Sequence, residues 1–295
     1  MNTQNENRIC QNCKTEFIID LDDFDFYKKV DVPPPTFCPT CRAQRRLSFL
    51  NERTLYKRTC DMTGEFIVSL FPQDSEVPVY SPKAWWSDNW DAMDYGMDYD
   101  FSRSFFEQFG ELLRKVPQFA LQNQYTTMIR TEYVNMGTYN KDCYLVFNTS
   151  YCEESSYTTF SLRLKKCLDI YYGNQSELCY ECQNINNCHN VRYSRNCEGC
   201  VNVFFSRNMF GCNDCFGCFG LRKKSYYIFN QSFTREAYFE EIKKYNIASY
   251  TSVEQIKKEF DNFVLNFSNR FYEGVRNVQV TGNYIYNSKN TRDSF

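Results

Sequence analysis

The sequence predicts a mainly β chain with helical additions: an N-terminal zinc ribbon followed by a parallel, β-helix-like β-solenoid with capping and inserted helices. Three observations carry this expectation. Two CxxC pairs open the chain, Cys10/Cys13 and Cys38/Cys41. A Cys- or Ser-led pattern recurs about every dozen residues from Cys143 onward. Aromatics are abundant, with 27 Phe and 23 Tyr, as suits a pleated, layered core better than a helical bundle. Three regions follow: residues 1–60, the ribbon with a basic extension; residues 61–130, an acidic and aromatic segment with a capping helix; and residues 131–295, solenoid repeats interrupted by helices near 234–267.

The ribbon comes first. Two residues between thiolates let one tight turn aim both sulfurs at a single ion, and two such knuckles complete a tetrahedral S4 site. Residues 14–37 separate the pairs, more than the ~15–20 usual for such sites. Phe17, Ile18 and Ile19, then Pro33-Pro34-Pro35, predict a hairpin-like excursion that returns the second knuckle. The competing reading, four unrelated buried thiols, leaves the paired spacing unexplained. The start, Met1–Cys10, is polar with no apolar signal core, and no stretch approaches the ~18 apolar residues of a spanning helix. The expectation is therefore a cytoplasmic protein without a membrane partner, its 16 cysteines thiols or metal ligands rather than disulfides.

After the second knuckle come Arg42, Arg45, Arg46, Arg53, Lys57 and Arg58, with Glu52 the one acid among them. A rigid cluster of this kind can grip phosphates. The bland alternative is a solvated face that pairs with Asp20, Asp22, Asp23 and Asp25. The formal net charge of −2 supplies no global pull toward nucleic acid, so any attraction must be local.

Residues 10–46 also carry a likeness. Cys10, Cys13, Phe17, Phe26-Tyr27, Pro35, Cys38 and Cys41-Arg42 match a pattern of CxxC, an aromatic, a stretch ending in Phe-Tyr, a proline, CxxCR and basic residues. In this the segment resembles a zinc-ribbon family of bacterial proteins. The whole chain is similar to a family that places such a ribbon before a cysteine-rich β-repeat region. That resemblance implies a zinc ion and a β-repeat fold, and no activity.

In the middle region Phe101, Phe105, Phe106, Phe109, Leu112, Leu113 and Val116 recur at helical spacing. Ser104 and Glu107 have capping-box spacing, and Pro117 ends the run. The prediction is a helix over 101–116 that caps the open end of the repeats. Trp85, Trp86 and Trp90 are read as packing rather than as a sugar- or base-stacking platform. The Asp88, Asp91, Asp94, Asp98 and Asp100 series lacks the glycine and terminal glutamate of a calcium loop.

The repeats begin at Cys143, Ser156, Cys167, Cys179, Cys188, Cys200, Cys215 and Ser225. Strand alternation predicts that their second and fourth positions share a buried face, with two repeats per coil. On this alignment the late cysteines fill internal columns as small hydrophobes. One structural Zn2+ per chain is expected, at Cys10, Cys13, Cys38 and Cys41. The best set for a second ion would be Cys197, Cys200, Cys212 and Cys215. Ser252 and Gln255 have capping-box spacing in the interrupting helices, and Val253, Ile256, Phe260, Phe263, Val264 and Phe267 form their apolar stripe. Repeat-like sequence resumes at Asn283, and Asp293-Ser294-Phe295 echoes Lys141-Asp142-Cys143-Tyr144. That echo predicts a chain truncated at its C-terminus with further coils missing.

No Gly-rich phosphate loop or nucleophile elbow is present. His189, the single histidine, occupies a second repeat position and is assigned to the packed column rather than to catalysis. Arg163, Arg195, Arg207 and Arg222 recur at the eighth position of their repeats; with two repeats per coil, Arg195 and Arg222 share one edge and Arg163 and Arg207 the other. The sequence therefore predicts a non-enzymatic zinc-binding protein. Its partner would be nucleic acid, RNA or DNA, or a ribonucleoprotein, held by the basic residues after the ribbon together with Arg195 and Arg207. A protein–protein interaction scaffold is the first alternative. The second is a β-solenoid enzyme acting on polysaccharide through Asp169 and Glu181, which occupy equivalent third positions.

Overall fold

The computed structural model describes residues 5–294. The chain forms two compact units, Met1–Leu121 and Gln122–Phe295. Met1–Gln4 of the polar start and Phe295 of the closing echo lie outside the described residues.

The first unit opens with an antiparallel hairpin, β1 (Glu6–Ile9) and β2 (Glu16–Ile19), whose turn is the first CxxC pair. The excursion that follows is helical rather than hairpin-like: α1 spans Leu21–Lys29. Asp22 and Asp23 stand in its first turn and Lys28 and Lys29 in its last, which complements the helix dipole at both ends. After the proline run, Pro39 occupies the first turn of α2 (Pro39–Leu47), with Cys38 as N-cap. The second knuckle is thus a helix start and not a second hairpin.

A further hairpin, β3 (Tyr56–Thr59) and β4 (Phe66–Ser69), is followed by β5 (Val79–Tyr80) and the short α3 (Pro82–Trp85). Next comes α4 (Phe105–Lys115), which starts four residues later than periodicity suggests because Ser104 is its N-cap, accepting from the Glu107 N–H at 3.3 Å. Its one buried residue is Gln108, whose amide exchanges hydrogen bonds with the Asp100 backbone at 2.8 and 2.9 Å. Phe105, Phe106, Phe109 and Leu113 are exposed. The strand β6 (Gln118–Phe119) then pairs in parallel with β5.

The second unit is dominated by a 12-stranded, mostly parallel sheet, a topology that fits a solenoid-like domain. Its register advances by one constant step: His189 lies opposite Val201, Val201 opposite Asn213, and Asn213 opposite Ser225. One rung therefore holds one repeat, not half of a two-repeat coil. Within a rung every third side chain points inward. Cys179, Cys182, Ile185 and Cys188 fill one rung; Val191, Ser194, Cys197 and Cys200 the next; Val203, Ser206, Met209 and Cys212 the third; all are buried.

This period of three overturns the expected period of two. Ordinary strands alternate because each residue is extended. Here the residue before each inward one is left-handed, as at Leu178 (φ 56), Glu181 (φ 50), Asn184 (φ 54) and Asn187 (φ 50). The chain turns at every third residue, so the second repeat positions Tyr144, Tyr157, Leu168 and Val201 face solvent. His189 does too, its Nδ1 lying 3.9 Å from Glu177, which removes it from the packed column. A left-handed non-glycine residue costs about 1–2 kcal/mol. Backbone bonds between rungs offset this, such as Lys141 N–H to Cys152 O and Asp142 N–H to Ile129 O, each 2.9 Å. Asparagine tolerates the conformation best and adds side-chain ladders: Asn184 to Asn196 and Asn196 to Asn208, both 3.0 Å.

The sheet ends in an antiparallel pairing at Gln231–Ser232. Two helices follow, α5 (Arg235–Ile242) and α6 (Tyr250–Val264). Ser249, not Ser252, caps α6, and Val253, Ile256, Phe260 and Val264 are its buried stripe. Parallel pairing then resumes, with Gly274 opposite Ile285 and Val278 opposite Lys289. Among the described residues no helix is long and apolar enough to cross a membrane.

Candidate metal centre

The β1–β2 turn and the start of α2 bring four sulfurs together. The Sγ atoms of Cys10, Cys13, Cys38 and Cys41 lie within 4.8 Å of one another. A tetrahedron with Zn–S bonds of about 2.3 Å has S–S edges of about 3.8 Å, and the Cys13–Cys38 separation is 3.7 Å. The hairpin turn is closed by Lys14 N–H to Cys10 O at 3.1 Å and Cys10 N–H to Thr15 O at 2.9 Å, with Lys14 left-handed at φ 62. At the other knuckle the free N–H groups of the helix start point at sulfur. Cys38 N–H donates to Cys10 Sγ at 3.3 Å, and Cys41 N–H to Cys38 Sγ at 3.5 Å. The Asn12 amide donates to Cys41 Sγ at 3.4 Å.

These donors share negative charge unequally. Burial pushes the Cys10 thiol up, but N–H groups of Cys38, Cys13 and Asn12 outweigh it and bring it down to about 6. The Thr15 hydroxyl and N–H lower Cys13. The Asn12 amide pulls Cys41 down, yet burial and the three neighbouring thiols push it up to about 11. Four sulfurs this close cannot all carry charge without a cation among them, so the donor set fits a metal ion. Four protein ligands leave no open coordination position, which is the pattern of a structural rather than a catalytic site. Phe17 and Phe37 pack against the cluster, and the Arg45 guanidinium lies 4.5 Å above the Phe37 ring.

The basic residues separate into different environments. Arg46, Arg53 and Lys57 are exposed, as is Arg45 beside its ring, and Arg42 is half-buried. Arg58 leaves the row: it is buried, donates to Pro72 O at 2.9 Å and pairs with Asp61 at 2.7 Å. Its place on the inner side of β3 turns it away from solvent. In the second unit Arg195 lies directly opposite Arg207, on one face of the sheet rather than on opposite edges. Arg207 approaches Asp261 at 3.7 Å. Arg163 sits over the Tyr151 ring and Arg222 over that of Phe210.

The later cysteines do different work. Cys182 Sγ donates to Tyr180 O at 3.2 Å and Val191 O at 3.3 Å, and Cys188 Sγ to Asn186 O and Cys197 O, both 3.4 Å. Serines at inward positions act alike: Ser194 Oγ donates to Arg192 O at 2.7 Å and accepts from Ser206 N–H at 3.1 Å. A small side chain with one donor satisfies a carbonyl that points into the interior, which explains why Cys and Ser alternate there. Cys197 stands in one inward column, Cys200 and Cys212 in the next, and Cys215 in a third. Among the described residues, Cys10, Cys13, Cys38 and Cys41 are the one group of three or more such side chains gathered as an ion requires.

Asp169 and Glu181 line a groove of about 320 Å³ together with Arg195, Arg207 and Lys257. Lys257 pairs with Glu181 at 2.5 Å, and burial followed by the Glu181 charge raises Asp169. No family model matches the chain, and no curated protein matches it. What stands without them is the cluster of four cysteines as a possible metal site.

Proposed function

We propose that this chain is a non-enzymatic zinc-binding protein in which one structural Zn2+ pins the N-terminal module and a β-solenoid forms the second. The carrying observation is the set of four sulfurs within 4.8 Å, with donors suited to thiolates. All 16 cysteines are free of disulfides, in keeping with the reducing cytoplasm we assign to it. Metal analysis of the purified protein tests this directly. One zinc per chain, lost in Cys10→Ser/Cys38→Ser, is the expected result, and a metal-free yet folded wild type refutes it.

The partner we propose is a phosphate backbone, RNA or DNA, alone or within a ribonucleoprotein. Support comes from Arg45 and Arg46 on the exposed side of a helix anchored by the metal knuckle, and from Arg53 and Lys57 beyond it. Binding through about five phosphates weakens steeply as salt rises. Charge reversal at Arg45 and Arg46 should flatten that slope. A flat profile in the wild type would favour the scaffold reading, which draws on the exposed Phe105, Phe106, Phe109 and Leu113 of α4.

A further inference from the structure

Residues 56–85 repeat the construction of the metal centre. The β3–β4 turn, Cys60-Asp61-Met62-Thr63-Gly64, takes the place of Cys10-Gln11-Asn12-Cys13-Lys14. The α3 start, Ser81-Pro82-Lys83-Ala84, takes the place of Cys38-Pro39-Thr40-Cys41. Four hydrogen bonds correspond one to one. Gly64 N–H donates to Cys60 O at 2.8 Å and Cys60 N–H to Glu65 O at 2.8 Å, as Lys14 and Cys10 do in the first turn. Ser81 N–H donates to Cys60 Sγ at 3.2 Å, matching Cys38 N–H to Cys10 Sγ at 3.3 Å. Ala84 N–H donates to Ser81 Oγ at 3.1 Å, matching Cys41 N–H to Cys38 Sγ at 3.5 Å. The left-handed turn residue recurs, Gly64 at φ 73 against Lys14 at φ 62. So does the proline that opens the helix.

We infer that residues 56–85 are a second copy of the metal module, in which the ligand positions have become Cys60, Thr63, Ser81 and Ala84, and that this copy stands without an ion. Its geometry is a latent site for a thiophilic divalent cation of the Zn2+ or Co2+ class. Two features replace the ion as a crosslink. Cys60, Tyr80 and Ala84 are buried with Met62, Ile67, Trp85 and Trp90 packed against them, Trp90 lying edge-on to Tyr80 at 5.4 Å. The Asp61 carboxylate accepts the Val79 N–H at 2.6 Å and pairs with buried Arg58 at 2.7 Å, so the hairpin is tied to β5 by hydrogen bonds and charge. The cluster at the first module is smaller and built on the ligands themselves: Cys10, Cys38 and Cys41, with Phe17 and Phe37 packed against them. The two copies should therefore differ in their response to metal removal.

This inference rests on the metal reading of the first module, and the test separates the two. Co2+ is titrated into the metal-stripped full chain and into Thr63→Cys/Ser81→Cys/Ala84→Cys, with the thiolate-to-cobalt absorption read per chain. The expected result is one ion for the wild type and two for the variant, with doubled absorption. A folded variant that gains none overturns the inference. So does a wild type that binds two and loses one on Cys60→Ser. A wild type that binds none while the variant binds one would sink the first-module reading and keep this one. Hydrogen exchange of the wild type under chelator supplies a readout that needs no variant. Amides of residues 6–19 and 38–47 should lose protection while those of 56–69 and 79–85 keep it. Joint loss overturns the inference.

Discussion

Gly173 tests how tightly the inward columns are filled. It sits at an inward position of its rung and pairs with Ile185 in the next. A Cβ added there would lie 2.8 Å from Ile170 Cγ2 and 3.0 Å from both Leu164 methyls. Comfortable carbon contacts begin near 3.5 Å. Ile170 and Leu164 are themselves buried, so neither can swing into solvent to make room. The backbone raises no objection, because Gly173 is not left-handed. Overpacking of this kind costs about 1–3 kcal/mol, against about 0.4–1 kcal/mol gained by stiffening the unfolded chain. Gly173→Ala should therefore destabilise by about 1–2 kcal/mol, net of these two effects. Because a chain of two units need not unfold in one step, the assay is amide exchange across Leu168–Glu177, read peptide by peptide. Leu164→Ala opens the same space, so the double variant should be less damaged than the sum of the singles by about 0.5–3 kcal/mol. Unchanged protection in Gly173→Ala, or strict additivity in the pair, would show slack in the interior and refute the reasoning.

Cys182→Ser keeps a donor for the Tyr180 and Val191 carbonyls and should shift stability by about 1 kcal/mol or less. Cys182→Asp buries a carboxylate among apolar columns and should cost several times more; thermal melts compare them. Arg58→Met removes the guanidinium from Asp61 and from Pro72 O; the Asp61 carboxylate is 38% exposed and hydrates in its place, so the loss is about 1 kcal/mol, visible as faster exchange at the Val79 amide. The Arg103 guanidinium lowers Glu111 by hydrogen bonding. That contribution is complete above the ordinary glutamate range and lost as pH falls through the depressed value. Protection of the α4 amides should fall on acidification, and Glu111→Gln should remove that dependence. Zinc should leave the four cysteines as pH drops, since each sulfur must shed its proton to bind; a chromogenic zinc indicator follows the release.

The sequence made some features legible because their chemistry is local. Two thiols on one tight turn define a knuckle whatever surrounds them, so Cys10, Cys13, Cys38 and Cys41 could be grouped by spacing. Recurrence of Cys and Ser at near-constant intervals likewise exposed stacked parallel strands. Cys143, Cys167, Cys179 and Cys215 do share one column of the structure. Cys188 and Cys200 belong to another, and Ser156 and Ser225 point outward. The error came from assuming extended strands with a period of two. Left-handed residues at every third position are invisible to hydropathy, yet the run Asn184, Asn187, Asn190, Asn196, Asn202 and Asn208 was their trace. Asparagine every third or sixth residue is the signal that would have given the correct period. Its acids hide the helix at Leu21–Lys29 in the sequence, because Asp22 and Asp23 suit a basic partner as well as they suit the first turn of a helix. The second copy of the metal module is hidden in the sequence because Thr63, Ser81 and Ala84 stand where cysteines would mark it.

The three-residue side has a consequence for how such a chain can change length. Removing a single residue between Cys179 and Cys212 would push every later inward residue into the left-handed slot before it and bring its following neighbour inward, as His189 in place of Cys188. Loss of three would restore the facing of side chains but displace each column by one wall. Only a whole rung, such as residues 191–202, could be excised or duplicated with every neighbour still meeting its own kind. Tolerance to insertion and deletion is therefore quantised, and the second unit should lengthen or shorten one complete turn at a time.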